Sequence, residues 1–190
     1  MAVIAVAGTL DTKGPDHAFV ADCIRSQGHE PLLIDWGTQH PPTVTPQISR
    51  ADVAAAAGLD LAALTARGDR GECVAAMSAA APVLLSHLYT SRRIDGVISL
   101  GGSSGTAIAA AAMRALPVGF PKLIVSTMAS GNIAPYVGTR DITVMPSVVD
   151  VAGLNQISQV IYARAAGAIC GMAAVVPPTA GNRPVVVASM

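Results

Sequence analysis

Leu100-Gly101-Gly102-Ser103-Ser104-Gly105-Thr106 separates two apolar runs of different character. Before it, Gly96-Val97-Ile98-Ser99-Leu100 is short and rich in β-branched residues, which predicts a buried strand. After it, residues 107–115 are mostly alanine, which predicts a helix. A strand, a turn with three glycines and a helix form the basic repeat of an α/β sheet. The glycines let the backbone come close to a ligand. The first N–H groups of the helix lack intrahelical partners, and with the helix dipole they favour a phosphate or carboxylate. Hydroxyls on Ser103, Ser104 and Thr106 add donors. A tight connection with no ligand would use the same residues.

The pattern repeats on both sides of this stretch. Residues 2–7 and 31–35 predict strands, with a helix over about 16–27 between them; Pro15 precedes that helix and Gly28 ends it. Residues 37–46 hold three prolines and predict an excursion or flap. Short helices are expected over 48–58 and 59–66. A long one is expected from Asp69, which has capping-box spacing to Glu72, with Cys73, Met77, Ala80, Leu84 and Leu88 on one face. Strands over 122–126 and 142–145 follow. A last helix is expected to bury Leu154, Ile157, Ile161, Ala165, Ala168 and Met172, with Asp150 as its N-cap. The alternation predicts a doubly wound, mostly parallel sheet flanked by helices, a Rossmann-like three-layer sandwich. Residues 1–174 form this lobe, 175–183 read as a linker, and 184–190 as the first strand of a truncated second lobe.

Composition narrows the function. The chain of 190 residues is 52% hydrophobic, 13% charged and only 3% aromatic, so alanine and valine must fill much of the core. Twelve basic and twelve acidic residues cancel, and no basic cluster exceeds Arg92-Arg93, which argues against nucleic-acid binding. So few charges point to a buried interface or a companion domain, and a homo-oligomer is expected. Cys23, Cys73 and Cys170 have no metal-site or disulfide spacing. No run of eighteen apolar residues and no signal-like leader stands out, so a reducing cytoplasm and no membrane are expected.

In a doubly wound sheet the strand exits share one edge, where ligands bind. Four connections rich in glycine or hydroxyls fall there. The first carries Gly8, Thr9, Asp11 and Lys13, whose ammonium is placed to meet a phosphate, while Asp11 could hold Mg²⁺, orient Lys13 or shape a turn. Gly101, Gly102, Ser103, Ser104, Gly105 and Thr106 form the second. Thr127, Ser130, Gly131 and Asn132 border the pocket, Asn132 reading a ligand or capping the next helix. Residues 147–150 are the fourth. Asp35, ending the second strand, is a candidate ribose contact. None of these is a P-loop or a G-x-G-x-x-G fingerprint, and the four histidines and the serines fit no catalytic motif. No catalytic base is identified.

Taken together, Gly8-Thr9-Leu10-Asp11-Thr12-Lys13-Gly14, Asp69-Arg70-Gly71-Glu72, the 101–106 turn, Ser126-Thr127-Met128-Ala129-Ser130-Gly131 and Asp150-Val151-Ala152-Gly153-Leu154-Asn155 resemble one family. It is the family of bacterial, fungal and plant proteins named for the ATP-binding region of the tomato mosaic virus resistance protein. The resemblance is collinear to about residue 174. It implies two α/β lobes, of which this is the first, and ATP bound with Mg²⁺ there. Its reaction is unassigned. An enzyme lobe acting on a phosphorylated or carboxylated metabolite, and an interaction scaffold with a structural nucleotide, are the alternatives.

Overall fold

The computed structural model describes residues 1–176; the expected linker beyond 176 and the strand over 184–190 lie outside them. Among the described residues one sheet is formed by β1 (Val3–Gly8), β2 (Glu30–Asp35), β3 (Gly96–Gly101), β4 (Lys122–Ser126) and β5 (Thr143–Pro146). All pairings are parallel and the order is β2-β1-β3-β4-β5. Val6 lies level with Leu33 on one side and Ile98 on the other, so β1 is an inner strand, and its Ile4, Ala5, Val6 and Ala7 are fully buried on both faces. This is the predicted three-layer α/β sandwich.

The helices are α1 (Leu10–Ser26), α2 (Arg50–Ala56), α3 (Leu61–Ala66), α4 (Arg70–Thr90), α5 (Ser103–Arg114), α6 (Ala134–Val137) and α7 (Gln156–Ala174). Strand alternation sorts the core into two layers. Ile4, Val6, Ile98, Leu100, Leu123 and Val125 face α1 and α7, while Ala5, Ala7, Val97 and Ile124 face α2, α4 and α5. The second layer is lined by small residues, including Ala80, Ala81, Ala109 and Ala112, which lets α4 and α5 lie close together. The predicted face of α4 is buried throughout, from Cys73 to Leu88. Asp69 caps it by accepting the N–H of Glu72, but Glu72 turns to Arg67 instead of completing the capping box.

Three boundaries differ from expectation. α1 starts at Leu10 and not near residue 16, because a first turn precedes a kink at Lys13 (φ −132°), and Pro15 then sits in the opening turn of the main segment. α5 starts at Ser103, so most of the glycine turn is already helix. α7 starts at Gln156 with Asn155 as N-cap in a capping box with Ser158, so Asp150 does not cap it. That start rotates the helix. Ser158, Tyr162, Ala165, Ala166, Ile169 and Cys170 are buried, whereas Leu154 and Ile157 are exposed. By length and composition α4 and α7 could each cross a membrane, yet both lay a buried face on the sheet.

Candidate functional site

Parallel strands place their C-terminal ends, Gly8, Asp35, Gly101, Ser126 and Pro146, along one edge. The strand order reverses direction between β1 and β3, and a crevice opens at such a switch point. A cavity of about 320 Å³ lies there. Thr9, Asp11, Thr12 and Lys13 line it from the start of α1, and Gly102, Ser103, Ser104, Gly105 and Ile108 from α5. Trp36, Thr38 and Gln39 after β2, with Arg70 and Val74 of α4, complete the wall. A wider hollow of about 950 Å³ lies at the opposite edge around Phe120, Lys122 and Asp141; it has no helix start or glycine turn in it comparable to α5.

The start of α5 is open. Gly102, its N-cap, has no side chain to offer, and the first helical bond runs from the N–H of Thr106 to the carbonyl of Gly102 (2.8 Å). The N–H groups of Ser103, Ser104 and Gly105, and both serine hydroxyls, have no partner among the described residues. Thr106 does not join them. It is buried, and its hydroxyl shares a proton with Ser126 (2.7 Å), tying α5 to β4. Gly101 is required by packing, since a Cβ there would lie 3.0–3.1 Å from the backbone of Gly105 and Thr106. Gly102 and Gly105 carry no such constraint, a Cβ at either meeting its nearest atom at 3.7 or 3.8 Å.

The acids expected to meet ligand are held by the protein, Asp35 through both oxygens and Asp11 through Oδ2 alone, its Oδ1 having no partner. Asp35 is fully buried; Oδ1 accepts the N–H groups of Leu10 (3.1 Å) and Gly37 (2.8 Å), and Oδ2 pairs with Arg50 Nε (2.7 Å). A ribose hydroxyl would have to displace one of these. Asp11 Oδ2 accepts the N–H groups of Gln39 and His40, and the 37–46 flap is held again where Thr43 donates twice to the carbonyl of Leu10. Asp11 is therefore the clasp of the flap. Lys13 lines the cavity, but its ammonium donates to the carbonyl of Val151, midway along the β5–α7 connection. The Thr9 hydroxyl accepts from Thr12 (3.2 Å). Gly8 is not among the residues lining the cavity; it makes room for a buried ring.

That ring is His17, beneath the cavity. Its Nδ1 lies 2.7 Å from the carbonyl of Lys13, and Nε2 accepts the N–H of Leu100 (3.4 Å), so the imidazole is neutral with its proton on Nδ1. Burial pushes its pKa below 6.5, against the opposing pull of the Lys13 carbonyl and of Asp16. The unfolded chain therefore takes up a proton on this ring before the folded chain does. The contribution of His17 to stability is whole above pH 6.5 and falls as pH drops below it, by up to about 1.4 kcal/mol per pH unit until the folded pKa is passed. Urea unfolding at pH 7.5 and 5.5 is expected to show a larger loss for the wild type than for His17→Gln. Equal losses would contradict a neutral buried ring.

A second hollow of about 380 Å³ adjoins the first across the Gly102–Thr127 contact. Thr127 and Ser130, on a 3-10 turn (Thr127–Ser130), line it with Ser126, Ser147 and Asp150. Gly131 closes that turn and is not among the lining residues. Asn132 accepts the N–H of Ala134 and so shapes the turn into α6, whose N-cap is Ile133. Val148 stands at φ 65° in this rim, in a turn closed by Val149 N–H to the Ser147 carbonyl (2.7 Å). Such a conformation is strained for a β-branched residue.

The description "Uncharacterised protein family (UPF0261) N-terminal domain" matches residues 2–178. The chain belongs to this family. It is 42% identical over 188 residues to a UPF0261 protein of Clostridium tetani, covering 98% of this chain and 46% of that protein. It is 46% identical over 170 residues to a UPF0261 protein of Rhizobium meliloti, covering 90% and 42%. The ToMV susceptible protein tm-1(GCR26) of Solanum lycopersicum is 35% identical over 184 residues, covering 87% of this chain and 24% of that protein. The chain thus spans about half the length, or less, of the curated relatives it matches, and corresponds to the N-terminal domain of the family.

Trp36, Thr38, Gln39, Arg70, Val74 and Ile108 also line the cavity and are not among the residues expected from the sequence. Trp36 carried the one available signal, being the chain's single tryptophan, directly after a strand end. Arg70 lies between Asp69 and Glu72, whose spacing is that of a helix cap, and carries no local signal of a ligand.

Proposed function

We propose that this lobe binds a phosphorylated small molecule, ATP foremost, with a phosphate over the start of α5. The observation that carries the reading is the set of three unpartnered N–H groups, from Ser103, Ser104 and Gly105, opening into a cavity at the switch point. The lining is less suited to a protein-held Mg²⁺. Asp11 is the one acid there, its carboxylate faces the flap, and no cluster of three acid, histidine or cysteine side chains occurs among the described residues. A magnesium ion accompanying a polyphosphate would be held chiefly by the phosphates and water. A cavity of about 320 Å³ is at the small end for ligand sites and supports a second reading, a short phosphorylated or carboxylated metabolite. The second domain of the relatives would cover the open rim, and exposed Ile157 and Val160 on α7 support self-association. Three free cysteines fit a cytoplasmic setting.

Gly102→Ala separates ligand contact from folding. The added methyl meets nothing closer than 3.7 Å, so stability should stay within about 0.5 kcal/mol of wild type. Calorimetry with ATP and Mg²⁺, sugar phosphates and short organic acids ranks the ligands. The best of them should bind the variant about tenfold or more weakly, because a methyl on the turn holds a phosphate off the N–H groups. Unchanged affinity would place the ligand elsewhere.

A further inference from the structure

We propose that Arg70 is a second anion-holding residue of this cavity, so that its ligand carries two linked anionic groups, one over the start of α5 and one on the guanidinium. The inference rests on the reading above, that the cavity takes an anion, and goes beyond it by naming the ligand class.

Arg70 is the first residue of α4 and lines the same cavity as Gly102 to Gly105. The acids that could neutralise it are spent on other partners. Asp69 accepts the N–H of Glu72 (3.0 Å), and Glu72 pairs with Arg67 (2.9 Å). Arg70 itself makes no hydrogen bond or ion pair among the described residues. A second observation is independent of either helix start. Trp36 lines the cavity and is 1% exposed, and its indole N–H has no partner. A buried donor left unpaired is costly, which marks a place where a ligand acceptor belongs.

The balance of hydrogen-bonding groups decides the class. The cavity offers three helix N–H groups, the hydroxyls of Ser103 and Ser104 and a guanidinium, and the unpartnered indole N–H of Trp36 is buried in its wall. Against these stands one carboxylate, Asp11, whose Oδ2 accepts from the flap while its buried Oδ1 has no partner. A surface of donors selects a ligand made of acceptors. One phosphate over α5 leaves the arginine charge unmatched. A second anionic group one linkage away takes the guanidinium in the two-pronged geometry that arginine supplies and lysine does not. Diphosphates and phosphorylated carboxylic acids share this chemistry.

The test is calorimetry on the 190-residue chain with orthophosphate, pyrophosphate and 2-phosphoglycolate, for the wild type, Arg70→Gln and Arg70→Lys. The wild type should prefer at least one of the two compounds with linked anionic groups over orthophosphate by about tenfold or more. Which of the two it prefers tells a diphosphate from a phosphorylated acid. Arg70→Gln should erase that preference while leaving orthophosphate within about twofold, and Arg70→Lys should restore part of it. Arg70 is exposed at a helix start, and matching urea midpoints establish that the variants fold. A preference that survives Arg70→Gln, or an equal loss for all three anions, overturns the role of Arg70 and leaves the anion reading standing. No uptake of any anion by the wild type overturns both.

Discussion

Asp35→Ala is expected to lower stability by about 3–5 kcal/mol and to open the wall of the cavity. The side chain of Asp35 is 1% exposed and that of its partner Arg50 16%, so removing the acid leaves a largely buried cation without its counter-charge. The same carboxylate holds the N–H of Leu10, where α1 begins, and of Gly37, where the flap leaves β2. Losing it strands two further donors. Asp35→Asn keeps an acceptor for both N–H groups and gives up only the charge, so it should fall between wild type and alanine. Urea unfolding ranks the three. Ligand titration of the asparagine variant then reports the wall, because the flap residues Thr38 and Gln39 line the cavity. An alanine variant as stable as wild type would mean that the carboxylate is idle in the fold and free for a ligand.

Gly8→Ala is expected to cost about 3 kcal/mol or more, although glycine here needs no unusual backbone angle. A Cβ would lie 1.9 Å from Nε2, 2.3 Å from Cε1 and 2.7 Å from Cδ2 of His17. The ring cannot retreat, since it is fully buried and held at both nitrogens. Overpacking of this kind forces the backbone or the ring to move, and the N–H of Leu100 then loses its acceptor. Gly8→Ala with His17→Ala should be more stable than the sum of the two single losses predicts, with a coupling of about 1 kcal/mol or more. Additive losses would mean that the methyl is accommodated some other way. The position matters for function because His17 ties the kink at Lys13 to β3 just before the glycine turn.

These two positions also mark where reading the sequence stops. Gly8 and Asp35 both lie at strand exits, on the edge where a doubly wound sheet takes a ligand, and the fold gives each a structural task that local sequence does not show. Gly8, expected in a ligand loop, admits a histidine nine residues on. Asp35, expected as a ribose contact, joins β2 to α1, the flap and α2. Asp11 and Thr106 follow the same course, turned to the flap and to Ser126. A polar residue at a strand exit looks alike whether it faces solvent or a distant N–H group. Its partner lies outside any local window. Arg70 was overlooked for the converse reason, since nothing near it in the chain marks the cavity it faces.

The chain alone determined the alternation of strand and helix, the parallel sheet and the edge on which the glycine and hydroxyl connections fall. Each of these is written in local period and backbone preference, in β-branched runs, alanine-rich runs and glycines at their junctions. Tertiary structure alone decided where α1, α5 and α7 begin, which acids are already bonded, and that the start of α5, Trp36 and Arg70 share one cavity. Those outcomes depend on which groups from separate strands and helices come within hydrogen-bonding distance, and that distance exists only once the sheet has brought residues 11, 36, 70 and 102 to the same crevice.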